Sequence, residues 1–506
     1  MSAVKPDAHT TAPAAAAAIA DAAHAADGVT LRCELLVIGA GPAGLAAATQ
    51  AASQGIDTLL LDEQPAPGGQ IYRAVTYTPL TRRDILGPDY WHGGTLVQAF
   101  EQSGARYQAD ALVWAVMPLP DQQGYELGAT VAGQACRIIT RTLILATGAQ
   151  ERPFPIPGWT LPGVLGAGAA QILLKQSGAL PGDGVVLAGG GPLLYLLAWQ
   201  YLNAGVRIDA LLETVPRGQW RQALPHAWDF LRSPYLRKGL QLMLKVRKQV
   251  PIVRDVAMLE AIGQDGRLSA VRYRRADAAT VSEIAASHLL LHQGVVPNTN
   301  LARALGLAHD YDDDQLCWRT RVDDWGAASL PGVYVAGDGA GIAGALAAEH
   351  RGRLAALDAA RQLGRLNDAQ RDQSAAAART ALQRANRGRR FLDRLYQPPG
   401  SLRRPTGDTI VCRCEEVTAQ QVRETAALGV QGPNQMKAFL RCGMGPCQGR
   451  FCGLTVSELI ADVRQVPVAE VGYYRVRYPT KPVTLAEMAA LPQTEASRKA
   501  VVRFKK

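Results

Sequence analysis

Five of the eight cysteines, Cys412, Cys414, Cys442, Cys447 and Cys452, fall within one stretch of 41 residues. A chain of 506 residues without a secretory leader has little use for such a cluster as a disulfide frame, so ligation of a metal or cluster is the expected chemistry. Four thiolates suit a [2Fe–2S] or [4Fe–4S] cluster, or a zinc ion. Five candidates compete for the four places. Gly443, Gly445 and Gly449 lie among them, small enough to let backbone N–H groups reach the sulfurs. The scattered Cys33, Cys136 and Cys317 read as buried core residues.

A second chemistry is written near the start. The apolar strand Glu34–Ile38 runs into Gly39-Ala40-Gly41-Pro42-Ala43-Gly44, a G-x-G-x-x-G turn, and a helix-forming run from Leu45 to Ala52 follows. Gly39 makes the turn, Gly41 admits a pyrophosphate to the backbone, and Gly44 lets helix and strand close together. The helix N-terminus offers free N–H groups and partial positive charge to the phosphates. A second strand, Thr58–Leu61, ends at Asp62, 23 residues after Gly39, where an acid holds ribose hydroxyls; Glu63 stands ready to share that task. FAD and NAD both satisfy this fingerprint.

The plan recurs about 150 residues later at Val185 to Leu194. Here Gly189, Gly190 and Gly191 are in place, but Leu194 occupies the third-glycine position. A leucine there is expected to hold the helix off the strand and disturb phosphate docking. Glu213 lies at a suitable distance for a ribose. A working NAD(P) site, another nucleotide and a structural relic all stay open. No cysteine pair follows Gly68-Gly69, so dithiol–disulfide exchange is not expected.

These motifs need an α/β scaffold to hold them. Apolar residues make up 48% and charged residues 19%, ordinary for a globular enzyme, and 50 glycines suit tight βα turns. The length allows about three to four domains. We expect two nested Rossmann-like dinucleotide-binding domains, 31–164 with 291–363 and, inserted between them, 165–290. An Arg-rich helical linker (364–405), a small mainly helical cysteine domain (406–465) and a C-terminal extension (466–506) follow. Residues 1–30, Ala-rich and lacking the build of a secretory signal, are expected to be a disordered tail. No apolar run is long enough to span a membrane.

The net charge of +10 gathers at Arg379, Arg384, Arg387, Arg389, Arg390 and Arg394, and at Arg498, Lys499, Arg503, Lys505 and Lys506. A solvated helix face and a loose terminus explain both. No nucleic-acid motif accompanies the charge. His92, His292 and His350 lie near the motifs without forming a triad, and read as structural or as flavin neighbours.

Leu143 to Ala149, with Ala146-Thr147-Gly148 at its centre, resembles the A-T-G strand end of two-dinucleotide-binding flavoproteins of the pyridine nucleotide-disulfide oxidoreductase type. Gly332 to Asp338 resembles their late G-D motif. The resemblance implies FAD in the first site. Asp338 would hold the ribityl chain, the backbone of Val113 would meet the adenine, and a helix from Ala343 to Ala348 would approach the flavin ring. The cysteine region resembles the bacterioferritin-associated-ferredoxin-like [2Fe–2S] domain. Its separation of the two pairs matches the 32 residues between Cys414 and Cys447 better than the 27 between Cys414 and Cys442. That resemblance implies Cys412, Cys414, Cys447 and Cys452 as ligands and Cys442 as a spare. A cluster is preferred to zinc because a flavin would give it an electron partner.

The whole order resembles the larger subunits of bacterial multisubunit amine dehydrogenases, the group of opine oxidase, hydrogen cyanide synthase and D-hydroxyproline dehydrogenase. Asp62-Glu63-Gln64-Pro65, Gly68-Gly69-Gln70-Ile71-Tyr72-Arg73, Pro157 to Val164, Gln293 to Thr299, Gly443 to Arg450 and Pro479 to Leu485 carry the likeness. It places Gly69, Gln70 and Arg73 at the flavin. It implies an FAD- and [2Fe–2S]-containing electron-transfer subunit of an enzyme acting on C–N bonds of amino acids, imino acids or opines. A smaller flavoprotein partner would do the amine oxidation and an unidentified acceptor would take the electrons. The implied setting is cytoplasmic, with a peripheral place at the inner membrane through partners and a peripheral contact with the respiratory chain. Two other readings stay open: an NAD(P)H-dependent flavoprotein reductase feeding its own cluster, and a scaffold holding nucleotides structurally.

Overall fold

The computed structural model describes residues 29–119 and 123–491. The expected N-terminal tail, apart from Val29 and Thr30, and the basic cluster Arg498 to Lys506 lie outside the described residues.

The strand Val29–Ile38 opens the first sheet and starts earlier than the apolar pattern foretold, because Val29 and Thr30 already pair with Cys136 and Arg137. Thr58–Leu61 and Arg106–Gln108 extend the sheet in parallel on one side. On the other side stands Gln134–Leu145, which serves two partners. It runs antiparallel to Tyr125–Val131, itself paired antiparallel to Ala111–Pro118, while Leu143–Leu145 pairs in parallel with Val333–Val335. That late strand comes from beyond residue 330, so the first sheet is completed only after the second has been made.

The second sheet is wholly parallel, in the order Ile252–Val253, Ile208–Glu213, Val185–Gly189, His288–His292, Val164–Gly166. An antiparallel meander, Val256–Gln264, Arg267–Arg275 and Ser282–Ala285, lies beside it. Parallel sheets need both faces covered, and their strands read as continuous apolar runs. Leu35, Leu36 and Val37, and Val185, Val186 and Leu187, are all fully buried. This is a doubly wound α/β architecture, two Rossmann-like units with one nested in the other.

The long helix Ala345–Gln362 packs across Pro42–Ser53, where a Cβ on Gly352 would come 2.1 Å from the Ala43 carbonyl oxygen. The Arg-rich linker forms helices Asp368–Asn386 and Arg389–Leu395. Much of its charge is used inside the chain. Arg371 bridges to Asp358, Arg379 lies over the Trp325 ring, Arg389 pairs with Asp393, and Arg390 and Arg394 meet Asp314.

The C-terminal unit joins the hairpin Ile410–Cys412/Val417–Thr418 to helices Ala419–Ala427, Pro433–Leu440 and Gly453–Arg464. Its apolar core takes in Cys412, Cys442 and Cys452 together with Val471 and Tyr474, so the chain past residue 465 continues this unit and is more than an appendage. Beyond it, Thr480 donates to the Trp114 carbonyl (2.8 Å) and Lys481 pairs with Glu63, tying the C-terminus to the first sheet. No helix among the described residues is long and apolar enough to cross a membrane.

Candidate functional site

The first Gly-rich turn is the meeting point of four separate sequence motifs. Gly39 lies so close to the A-T-G strand end that a Cβ would sit 2.4 Å from the Ala146 oxygen. A Cβ on Gly69 would come 2.7 Å from Gly41 Cα, and one on Gly337 would come 2.8 Å from Ala43 Cβ. The turn, the Gly68–Arg73 loop, the A-T-G end and the G-D motif therefore converge, although they span nearly 300 residues of sequence (39 to 338). Gly41 caps the helix Pro42–Ser53 without a side chain, and Pro42 at its first position spares an N–H that needs no partner.

Asp62 is buried at the end of its strand. Its carboxylate accepts from the Ala40 N–H (2.5 Å) and the Gln64 N–H (2.8 Å), clasping the Gly-rich turn to the second strand. Burial pushes its pKa up, and the two N–H donors oppose that shift. Glu63 is turned outward toward Lys481. Val113, buried, lies where a bulge breaks the pairing of Ala111–Pro118. Ala111 N–H donates to the Asp62 carbonyl, which brings that strand to the same corner (2.8 Å).

On the far side, Thr147 Oγ1 donates to the Asn298 carbonyl (2.9 Å), and Asn298 N–H returns a bond to the Gly148 carbonyl (2.9 Å). Gly148 has φ +64° and open space where a Cβ would go. One oxygen of Asp338 accepts from Ala343 N–H (2.9 Å) and Gly344 N–H (3.1 Å). The helix that follows begins at Ala345 and not at Ala343, because Asp338 holds those two N–H groups in a turn.

Arg73 is buried without a carboxylate. Its Nη2 reaches Gln70 Oε1 at 3.3 Å and its Nε has no partner. Behind the same loop Lys175 is buried with Nζ donating to the Ile71 carbonyl (2.8 Å) and Gln171 Oε1 (2.9 Å). Burial, aided by Arg73, depresses its pKa to about 7. A buried guanidinium with an orphaned N–H, a helix N-terminus without a side-chain cap and open space over Gly148 and Gly344 form a cradle that suits the phosphates and ring of a dinucleotide. Sequence reasoning missed Lys175, whose only signal was a lysine inside an apolar helix.

The three histidines near the motifs all have partners. His92 meets Glu349 at 3.0 Å, His350 meets Arg353 at 3.1 Å, and buried His292 makes a short contact with Glu151. Burial pushes the thiols of Cys33 and Cys136 up to about 11 and that of Cys317 up to about 12, in keeping with inert core residues.

At the second turn Gly189 has φ +137°, and a Cβ there would meet the His292 oxygen at 1.7 Å. Leu194 is fully buried in the main apolar core. Above the turn, a Cβ on Gly190 would come 2.8 Å from Val215 and 4.0 Å from the Tyr396 ring, which arrives from the linker. Glu213 accepts from Tyr195 OH (3.1 Å) and faces Arg254 at 3.7 Å.

The cysteine region holds all five thiols. The sulfurs of Cys412, Cys442 and Cys452 lie within 4.8 Å of one another, buried. Cys442, the spare by spacing, thus stands beside two of the expected ligands. Exposed Cys414 faces Cys447, whose backbone N–H is directed at its sulfur. Cys412 is held far below the usual thiol range by the Cys442 and Cys452 thiols, with help from the Gly443 and Glu415 N–H groups. Gly445 abuts Cys414, where a Cβ would come 2.3 Å from the Cys414 Cβ. Gly443 and Gly449 both abut the Tyr474 ring, each too close for a Cβ, and Cys452 Sγ is 3.8 Å from its hydroxyl. A soft thiolate set with inward N–H groups is chemistry for a cluster or a soft metal.

The two regions touch. Gln150, two residues beyond Gly148, donates Nε2 to the Arg450 carbonyl (2.7 Å). Asn300 Nδ2 donates to the Gln448 carbonyl (3.1 Å), and Tyr473 OH to the Gly449 carbonyl (3.3 Å). Three consecutive carbonyls between Cys447 and Cys452 are therefore held, two of them from the flavin side. Beside them Arg303 is sandwiched by Tyr473 (4.2 Å) and Trp318 (5.2 Å). Side-chain-to-backbone bonds of this range leave no spacing signal, and Gln150 and Asn300 were not foreseen.

Residues 33–364 match the pyridine nucleotide-disulphide oxidoreductase family, and residues 406–491 match the sarcosine oxidase A3 domain. The chain is 49% identical to the opine oxidase A-subunit of Agrobacterium tumefaciens (strain Ach5), over 92% of this chain and 93% of that one. It is 33% identical to the hydrogen cyanide synthase subunit HcnB of Pseudomonas protegens, over 88% of this chain and 96% of that one. Among solved structures, L-proline dehydrogenase from P. horikoshii shares the fold, with a TM-score of 0.67 and 17% identity over 91% of this chain and 80% of that one. With four flavoprotein motifs gathered at one turn and these likenesses along its length, the chain belongs to the pyridine nucleotide-disulphide oxidoreductase family and is an FAD-dependent oxidoreductase of the opine oxidase A-subunit type.

Proposed function

We propose that this chain is the electron-transfer subunit of a multisubunit dehydrogenase or oxidase acting on C–N bonds of amino acids, imino acids or opines, with FAD in its first site and a [2Fe–2S] cluster in its cysteine region. The observation that carries this reading is the direct link from the A-T-G strand end to the Cys447–Cys452 loop through Gln150 and Asn300. The relatives named as subunits of opine oxidase and of hydrogen cyanide synthase support it.

Bound FAD would accept electron pairs and the cluster would pass electrons singly. The chain's own residues do the positioning. Gly39, Gly41, Pro42, Ala43 and Gly44 present the helix end to the pyrophosphate, and Arg73 adds a buried positive charge. Asp62 holds the turn and offers its carboxylate at the ribose corner, with Glu63 kept at the rim by Lys481. Gly69 and Gln70 close the loop over Gly41, and Val113 flanks the adenine end. Thr147, Gly148, Gly337 and Asp338 frame the ring end. Cys412, Cys414, Cys447 and Cys452 serve as ligands, and Cys442 is their buried neighbour. At the second turn, with Gly189, Gly191 and Glu213, Val215 and the Tyr396 ring crowd Gly190, which disfavours NAD(P) as the electron source. A smaller flavoprotein partner supplies the electrons.

Purified alone, the chain should be yellow-brown, show the spectrum of a reduced [2Fe–2S] centre by electron paramagnetic resonance after addition of dithionite, and fail to turn over amines. Vigorous amine oxidation without a partner overturns the relay, and rapid flavin bleaching by NADH overturns the closed second site. Cys414→Ser should strip iron while Cys442→Ser retains it; the reverse result reassigns the ligands.

A further inference from the structure

The chain leaves the cysteine unit by a segment that returns to the first nucleotide turn. Tyr474 is buried in the core of that unit. Arg475 is held there through both its backbone groups: its N–H donates to Asn434 Oδ1 (2.7 Å) and its carbonyl accepts from Lys437 Nζ (3.2 Å). Tyr478 then packs on the apolar core of the first sheet. Thr480 is buried and donates to one carbonyl twice, from its N–H (2.8 Å) and from its Oγ1 (3.3 Å). That carbonyl belongs to Trp114, the residue that the bulge between Val113 and Ala115 leaves out of the ladder. Lys481, next in the chain, pairs with Glu63.

Both ties land at one corner. The Ala111 N–H donates to the Asp62 carbonyl (2.8 Å) and the Asp110 N–H to the Gln64 carbonyl (3.3 Å). The strand that carries Trp114 and the loop that carries Glu63 are therefore joined beside Asp62. An acid at the end of this strand takes the ribose hydroxyls of a dinucleotide, and it accepts them best as a carboxylate. Burial pushes the pKa of Asp62 up, and the charge of Glu63 pushes the same way. A cation on Glu63 relieves that repulsion. The pair itself adds little to folding, because the Lys481 side chain is 22% exposed and that of Glu63 44%. Its effect lies in where it holds Glu63.

We propose that Lys481 is a positioning residue of the first nucleotide site: on a segment anchored through Thr480, it holds Glu63 at the ribose corner and keeps the adenosine end of FAD from leaving. The proposal rests on FAD as the occupant of that site. It makes retention of the dinucleotide depend on a residue contributed from beyond the cysteines, some 400 residues after the turn that it serves.

The test is the rate at which FAD leaves the purified full chain, read as the rise of flavin fluorescence after dilution. Lys481→Ala should release FAD about fivefold faster than the native chain, Lys481→Glu faster still, and Lys481→Arg at the native rate. Glu63→Gln added to Lys481→Ala should bring no further acceleration, since the two side chains act as one unit. The flavin-free chains should unfold together in denaturant, because both side chains reach solvent. Release by Lys481→Ala within about twofold of the native rate overturns the proposal. So does acceleration that comes with earlier unfolding of the flavin-free chain, or that adds in full to the effect of Glu63→Gln. A native chain that neither carries nor takes up FAD overturns the cofactor reading and the proposal with it, whereas tight native binding with indifferent variants overturns the role of Lys481 alone.

Discussion

At Gly44 the first nucleotide helix comes so close to its turn that a Cβ would lie 1.7 Å from the Gly39 carbonyl oxygen. At the matching position of the second turn stands Leu194, fully buried in the apolar core. The second turn gives up the closest approach and gains a core side chain. Its crevice is then lined by Val215 and Tyr396, while the first has open space above Gly148. The acids differ in the same way. Asp62 takes backbone N–H groups of its own turn, whereas Glu213 is bound by the side chains Tyr195 and Arg254. One copy of the plan keeps glycine at the closest approach, and the other fills the same position with a core side chain. A shared fold does not imply a shared function.

Swapping the distinguishing residue puts this contrast to trial. Gly44→Leu drives a side chain into the Gly39 carbonyl, which cannot yield without breaking the turn. We expect a loss of more than about 4 kcal/mol in denaturant melts and protein without flavin absorbance. Leu194→Ala should cost about 2–5 kcal/mol as a core cavity. It should still show no NADH binding by calorimetry, because Val215 and Tyr396 remain. NADH binding by that variant would mean that Leu194 alone closes the second site. A third effect concerns the support behind the first site. Lys175 is depressed to about 7 from an ordinary 10.5, so between those pH values the unfolded chain binds more protons than the folded one. Stability should therefore rise with pH across that window, relative to Lys175→Met, in paired thermal melts.

The parts that repeat a local pattern were legible from sequence. Thr58–Leu61 is a strand with those bounds, and the four flavin motifs meet as their order required. What failed to show was set by residues far apart in the chain. The early start of Val29–Ile38 depends on pairing with a strand a hundred residues on. The surroundings of Gly190 depend on Tyr396, and the place of Cys442 on how its loop meets Tyr474. Spacing reports the reach of a chain along itself, and these contacts are decided by where distant segments come to rest. The expected push of Leu194 against phosphate docking was framed locally. The structure adds Val215 and Tyr396 as neighbours of Gly190 at the same turn.

Three consecutive peptide carbonyls of the cysteine loop are gripped by Gln150, Tyr473 and Asn300. A loop clamped at each successive peptide has no hinge. Gln150 and Asn300 thus bind the cysteine unit to the first domain as one body, while Tyr473 braces the same loop from within the unit.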